Sequence, residues 1–235
     1  MIVYNQPMAS IKISYRFHFP DGRTRIHEVE ISSVTGVLMA PEVPSRPLWT
    51  DLDHKKCTHC PLRSDTHPTC PVACNLANAA DDFKGERSFD KVTCEVVTAE
   101  RTYRKELRMQ EGLFGLFGLI MATRECPYFE FLRPMARFHL PFSTIKETSV
   151  RSVSFYLLKQ FFVAKHGGTP DFQLTQLPKL YKDLETVNLS MAARIRSITT
   201  ADADANSIVI LDGFAKILSV SLSNGLKDLE SMFSN

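Results

Sequence analysis

Residues 11–31 read IKISYRFHFPDGRTRIHEVEI, and this stretch decides the fold of the first half of the chain. Ile11, Ile13, Tyr15, Phe17 and Phe19 recur at every second residue, the period of a strand with one buried face. Pro20-Asp21-Gly22-Arg23 puts proline and glycine where a tight turn takes them, and Arg25–Ile31 returns as the partner strand. The reading is an antiparallel hairpin. Lys91–Ala99 (KVTCEVVTA) and Thr102–Met109 (TYRKELRM) read as two more strands joined near Glu100-Arg101, so the sheet has at least four strands.

From Gln110 onward the period becomes helical. Gly112–Thr123 is an apolar helix whose Gly112, Gly115 and Gly118 would let another backbone approach. Pro127–Met135 reads as a short helix. Glu147–His166 is a long one with Val150, Val153, Leu157 and Phe161 inward, stopped by Gly167-Gly168, and Leu177–Ser197 is another. Asp204–Phe233 is the longest, capped by Asp202 or Asp204. Its seam is Ile208, Leu211, Ala215, Leu218, Leu222, Leu226, Leu229 and Phe233. That seam runs about 45 Å against about 30 Å for the Glu147–His166 helix. Unless the Thr169–Gln176 loop folds back over it, the remainder predicts a homodimer or docking to a partner protein through the 204–233 helix. The class is therefore α+β. A β-rich domain with antiparallel hairpins spans 1–109 and carries a cysteine loop at 54–75, and an all-helical domain spans 110–235.

At 235 residues the chain can bury a core without a metal, and a net charge of +2 gives no support to nucleic-acid binding. No apolar run reaches the length of a membrane span, and Met1 to Pro7 lack the basic and apolar regions of a signal peptide. A cytoplasmic home is expected, where thiols stay reduced.

Between residues 34–56, which read as a connector, and a helix from Val72 to Phe83 lie Cys57-Thr-His-Cys60 and Cys70-Pro-Val-Ala-Cys74. Two close cysteine pairs across a short loop are what one tetrahedral ion needs. Cys70 falls at a helix N-cap and Pro71 at the first helical position, so Cys70 and Cys74 would share a face and the helix N-terminus would favour thiolate. Cys57, Cys60, Cys70 and Cys74 are the expected ligands of structural zinc. An iron–sulfur cluster is the alternative, since Cys-Pro pairs at 60–61 and 70–71 are ferredoxin-like while the full spacing is missing. Unligated or redox-paired thiols are the plain reading. His54, His59 and His67 flank the loop and are expected to be solvated.

Cys94 is expected in the core of a strand. Cys126-Pro127 repeats the Cys70-Pro71 pattern, and Cys126 reads as a buried small hydrophobe before it reads as a nucleophile. Arg133, Arg137 and His139 are candidates, with Cys126, for an anion or ligand site, against a default of solvated charge. No phosphate loop, dinucleotide fingerprint, GxSxG elbow or HExxH occurs, which lowers the expectation of an enzyme.

The CxxCPL turn, the CPxxC segment and the LRPMARFHLPF stretch together resemble an uncharacterised bacterial protein family of unknown function, over Tyr15 to Phe142. The resemblance implies a bacterial cytoplasmic protein and brings no activity. The expected function is a non-enzymatic, zinc-stabilised regulatory or interaction module; the alternative is an iron–sulfur redox sensor or redox enzyme on the same cysteines.

Overall fold

Strand β1 (Ser10–His18) and strand β2 (Thr24–Ser32) pair antiparallel, with Ile13 opposite Val29 and Phe17 opposite Arg25. In this computed structural model, residues 10–39, 47–123, 125–197 and 203–233 are described. The turn closes through Phe19 N–H to Arg23 O at 2.9 Å, with Gly22 at φ +86°. Strand β3 (Lys91–Val97) lies on the other side of β1, and β4 (Thr102–Arg108) borders β3, giving the order β2-β1-β3-β4. Ile13, Tyr15, Phe17, Val29, Ile31, Val92, Cys94 and Val96 are buried on one face, as their alternation requires.

Helix α1 (Pro71–Asp82) and helix α2 (Met109–Met121) cover that face. α2 begins three residues before the sequence suggests. It follows β4 without a loop because Glu111 accepts from the Arg108 N–H at 2.9 Å and caps the new helix. Two of its glycines meet aromatic side chains: Gly115 faces the Tyr15 hydroxyl, and Gly112 sits against the Phe17 ring.

The segment expected as a helix over 127–135 is a 3-10 turn at Glu130–Leu132 followed by α3 (Arg133–Arg137). Helix α4 (Ile145–Lys165) starts at Thr144, whose hydroxyl accepts from Glu147 N–H while Glu147 accepts from Thr144 N–H. Its inward face is Ser149, Ser152, Tyr156 and Gln160, rotated by one residue from the expected Val150, Val153, Leu157 and Phe161. Each polar group there is bonded. Tyr181 donates to Ser152 at 2.7 Å, the Asp171 amide to Gln160 at 2.9 Å, and Tyr156 to Asp171 at 2.8 Å. Phe161 is left 53% exposed, beside exposed Leu158 and Phe162.

Helix α5 (Leu177–Arg196) and helix α6 (Ala203–Ser223) pack side by side, and α6 also rests on α2. The expected 204–233 helix is therefore broken. At its end Leu226 N–H bonds Ser221 O and Gly225 N–H bonds Leu222 O, with φ +70° at Gly225 and +56° at Leu226. A short α7 (Lys227–Glu230) follows. Of the expected seam, Ile208, Ala215, Leu218, Leu222 and Leu229 are buried within the chain, Leu226 is partly buried and Phe233 is exposed. Among the described side chains of this segment, Ile217, Val220, Met232 and Phe233 face outward. The side chains of Asp202, Asp204 and Leu211, like Met1 to Pro7, lie outside the described residues.

A β-carbon at position 112 would collide with Phe17, whereas one at Gly213 in α6 meets nothing within 4 Å. Gly112→Ala should therefore cost about 1–3 kcal/mol, and Gly213→Ala should add about 0.4–1 kcal/mol. Urea midpoints check both; an unchanged Gly112→Ala midpoint contradicts the close approach.

Candidate metal centre

The cysteine loop hangs from a pinned neck, entered by a 3-10 turn at Leu48–Thr50. Trp49, Thr50 and Leu52 are buried, and the chain returns beside them, with Leu52 N–H bonding Pro68 O at 3.0 Å and Cys70 N–H bonding Thr50 O at 2.7 Å. Arg194 of α5, 1% exposed, reaches across to hold the outgoing segment. One guanidinium nitrogen donates to Trp49 O at 2.6 Å and Asp51 O at 2.7 Å, and the other to Leu52 O at 2.8 Å. Among the described residues no carboxylate pairs with this buried cation.

The Cys57–Cys60 turn closes by Cys60 N–H to Cys57 O at 3.0 Å, and Lys56 donates to Leu62 O at 2.7 Å. Burial pushes the Cys57 thiol up, as do the Cys70 and Cys60 charges, while Ser190 and Arg194 of α5 pull it down. Cys70 is the N-cap of α1 with extended backbone, φ −75° and ψ 117°, and Pro71 is the first helical residue, as the sequence suggests. Burial raises its pKa. The sulfur makes no capping hydrogen bond of good geometry, yet the Ala73 and Val72 amides and Arg194 still favour its thiolate. Among the described residues no three His, Cys, Asp or Glu side chains stand close enough to hold an ion. The donor chemistry nonetheless fits one. Sulfur donors suit zinc, and the Arg194 charge lowers the pKa of both Cys57 and Cys70 against the larger effect of burial, so a thiolate–zinc site would find a buried cation beside it.

Cys74 lies one turn up α1, half-buried. The expectation that Cys70 and Cys74 share a face assumed helical dihedrals at both, and Cys70 has extended ones. Of the flanking histidines, His54 bonds Ser197 at 2.9 Å and His67 is exposed beside Thr66. His59 is not a solvated loop residue. Its Nε2 donates to the Asp183 carbonyl at 3.1 Å, its Nδ1 is buried without a partner, and its ring stacks on Tyr128 at 4.1 Å.

Cys126, Arg133, Arg137 and His139 go to different places. Cys126 packs on the core together with Cys57 and Cys60. Its thiol is pushed up to about 12, by burial first and then by the charges of Cys70, Cys57 and Cys60, opposite to an activated nucleophile. Arg133 lies against Gly36, and Arg137 stacks over Phe138 at 5.0 Å. His139 bonds the Tyr15 hydroxyl at 2.6 Å, and burial and the Arg151 charge push it down to about 3. With Arg151 it lines a mainly apolar cavity of about 150 Å³ walled by Phe114, Leu119, Phe142 and Leu218. Cys94 is core, as expected.

Arg194→Met would leave three buried carbonyls without donors and should lower stability by about 3 kcal/mol or more. Arg194→Lys should restore only part, because a point-like ammonium cannot serve three carbonyls from a planar fork. Chemical denaturation decides; a loss below about 1 kcal/mol in Arg194→Met contradicts the anchoring role.

Among the described residues no helix is long and apolar enough to cross a membrane. No curated protein and no solved structure matches the chain. Residues 13–234 match the model of a domain of unknown function, DUF6901, and the chain belongs to that family, as its resemblance to an uncharacterised family suggested.

Proposed function

We propose that the protein is a non-enzymatic cytoplasmic interaction module in which thiolates of the Cys57–Cys60 turn, of Cys70 and of one further cysteine hold a structural zinc ion. The spacing rule gives the fourth place to Cys74. The observation that carries the reading is Arg194, a buried guanidinium that donates to three backbone carbonyls, pairs with no carboxylate among the described residues, and whose charge bears on both Cys57 and Cys70. Four thiolates around a dication keep a net charge of about −2, and a nearby buried cation offsets part of it. The loop tip from Arg63 to Pro68 is exposed and polar, and a clip at its base would hold that surface in one shape for a partner. Pairing with a second copy or a partner's helix through the 204–233 segment would fall to its outward residues, Ile217, Val220, Met232 and Phe233.

Elemental analysis of protein purified without oxygen or chelator should find about one equivalent of zinc per chain. Less than about a tenth of an equivalent of any transition metal removes the reading, and a brown, iron-containing protein replaces zinc by the iron–sulfur alternative. Cys57→Ser should release the ion and loosen the loop while the protein keeps a cooperative unfolding transition, because the core closes without the loop.

A further inference from the structure

We infer that Cys126, and not Cys74, is the fourth thiolate of the site formed with Cys57, Cys60 and Cys70. This inference rests on the zinc reading above and names the donor that the spacing misassigns. The connection that carries Cys126 is fastened to the Cys57–Cys60 turn. The Tyr128 hydroxyl donates to the His59 carbonyl at 2.5 Å, the Tyr128 ring stacks on His59 at 4.1 Å, and His59 is held from behind by the Asp183 carbonyl. These contacts fasten Tyr128, two residues past Cys126, to the Cys57–Cys60 turn, and Cys57, Cys60 and Cys126 each pack against the buried core to which Cys70 belongs.

The local chemistry of Cys126 also matches that of Cys70. Each immediately precedes a proline, Pro127 and Pro71. Cys74 has a different setting. It lies inside α1, a full turn beyond the N-cap sulfur, and not at a chain entry before a proline.

The test uses full-length Cys74→Ser and Cys126→Ser variants, with zinc content measured after purification and cobalt(II) then substituted to read the thiolate bands. Cys74→Ser should keep about one equivalent and an unchanged cobalt spectrum. Cys126→Ser should lose metal or bind it at least about 10-fold more weakly, the usual scale for a lost supporting contact and a lower bound for a lost ligand. The reverse outcome overturns the inference and leaves the zinc reading standing, while absence of metal in the wild type removes both. Alkylation of the wild type keeps the question answerable if Cys126→Ser does not fold. In the metal-loaded protein Cys126 should be protected together with Cys57, Cys60 and Cys70, and become reactive with them on chelation. Protection of Cys74 instead, with Cys126 modified at the same rate before and after chelation, overturns the inference.

Discussion

The rest of the structure depends on how closely α2 lies on β1. At Gly112 and Gly115 the helix has no side chains, and the Phe17 and Tyr15 rings occupy that space. Two aromatic residues on a strand would otherwise hold a helix a ring's width away. With the gap closed, Leu113, Leu116, Phe117 and Ile120 are fully enclosed, and α2 can present its far side to α6. One helix thus belongs to both halves, and a single buried cluster runs from the sheet through α2 into α5 and α6. The Tyr15 hydroxyl continues the same contact to His139, which it keeps in the wall of the apolar cavity.

A second constraint acts at the other end of the core. The segment from Trp49 to Leu52, the end of a 3-10 turn and one isolated bridge between Asp51 and Thr69, has no ladder to serve all its carbonyls, which need donors from elsewhere. Arg194 supplies them from α5, which makes the placement of the cysteine loop depend on the helical half. Ser190 and the Asp183 carbonyl, on the same helix, reach Cys57 and His59. The loop is therefore supported by residues more than a hundred positions downstream, and the sequence around it does not show that support.

This difference in range separates what the sequence reveals from what it hides. The hairpin at 11–31 was legible because register and burial both follow from a period of two, and Ile13, Tyr15 and Phe17 are buried as that period requires. Helices α4 and α5 were legible as helices, within two residues at either end. The facing of α4 was not. Apolar counting points Val150, Val153, Leu157 and Phe161 inward, but Ser152, Tyr156 and Gln160 find partners on Tyr181 and Asp171 and are buried in their place. The apolar seam on α6 is legible from its spacing, whereas the packing of α2 against it, which the spacing does not reveal, covers part of that seam within the chain. Gly225 carried the signal for the break after Ser223. At the cysteine site, the turn at Cys57–Cys60 and the N-cap at Cys70 were local and legible, and the approach of Cys126 was not.

The wider spacing of a site that includes Cys126 also bears on what such a site is for. A clip from Cys57 to Cys74 closes 17 residues, and one from Cys57 to Cys126 closes 69, a fourfold longer stretch. Loop-closure entropy grows only by about 0.6 kcal/mol per doubling, so the longer closure constrains the unfolded chain by only about 1.2 kcal/mol more. That is small beside a core that already spans the molecule. The difference lies in position. A clip confined to 57–74 would join the loop to α1 alone. One that includes Cys126 joins the loop, the tip of α1 and the connection between α2 and α3, three segments that otherwise meet through side chains such as Tyr128 and His59. The exposed tip from Arg63 to Pro68 would then be fixed relative to the whole core, and the ion would define a surface more than it adds stability.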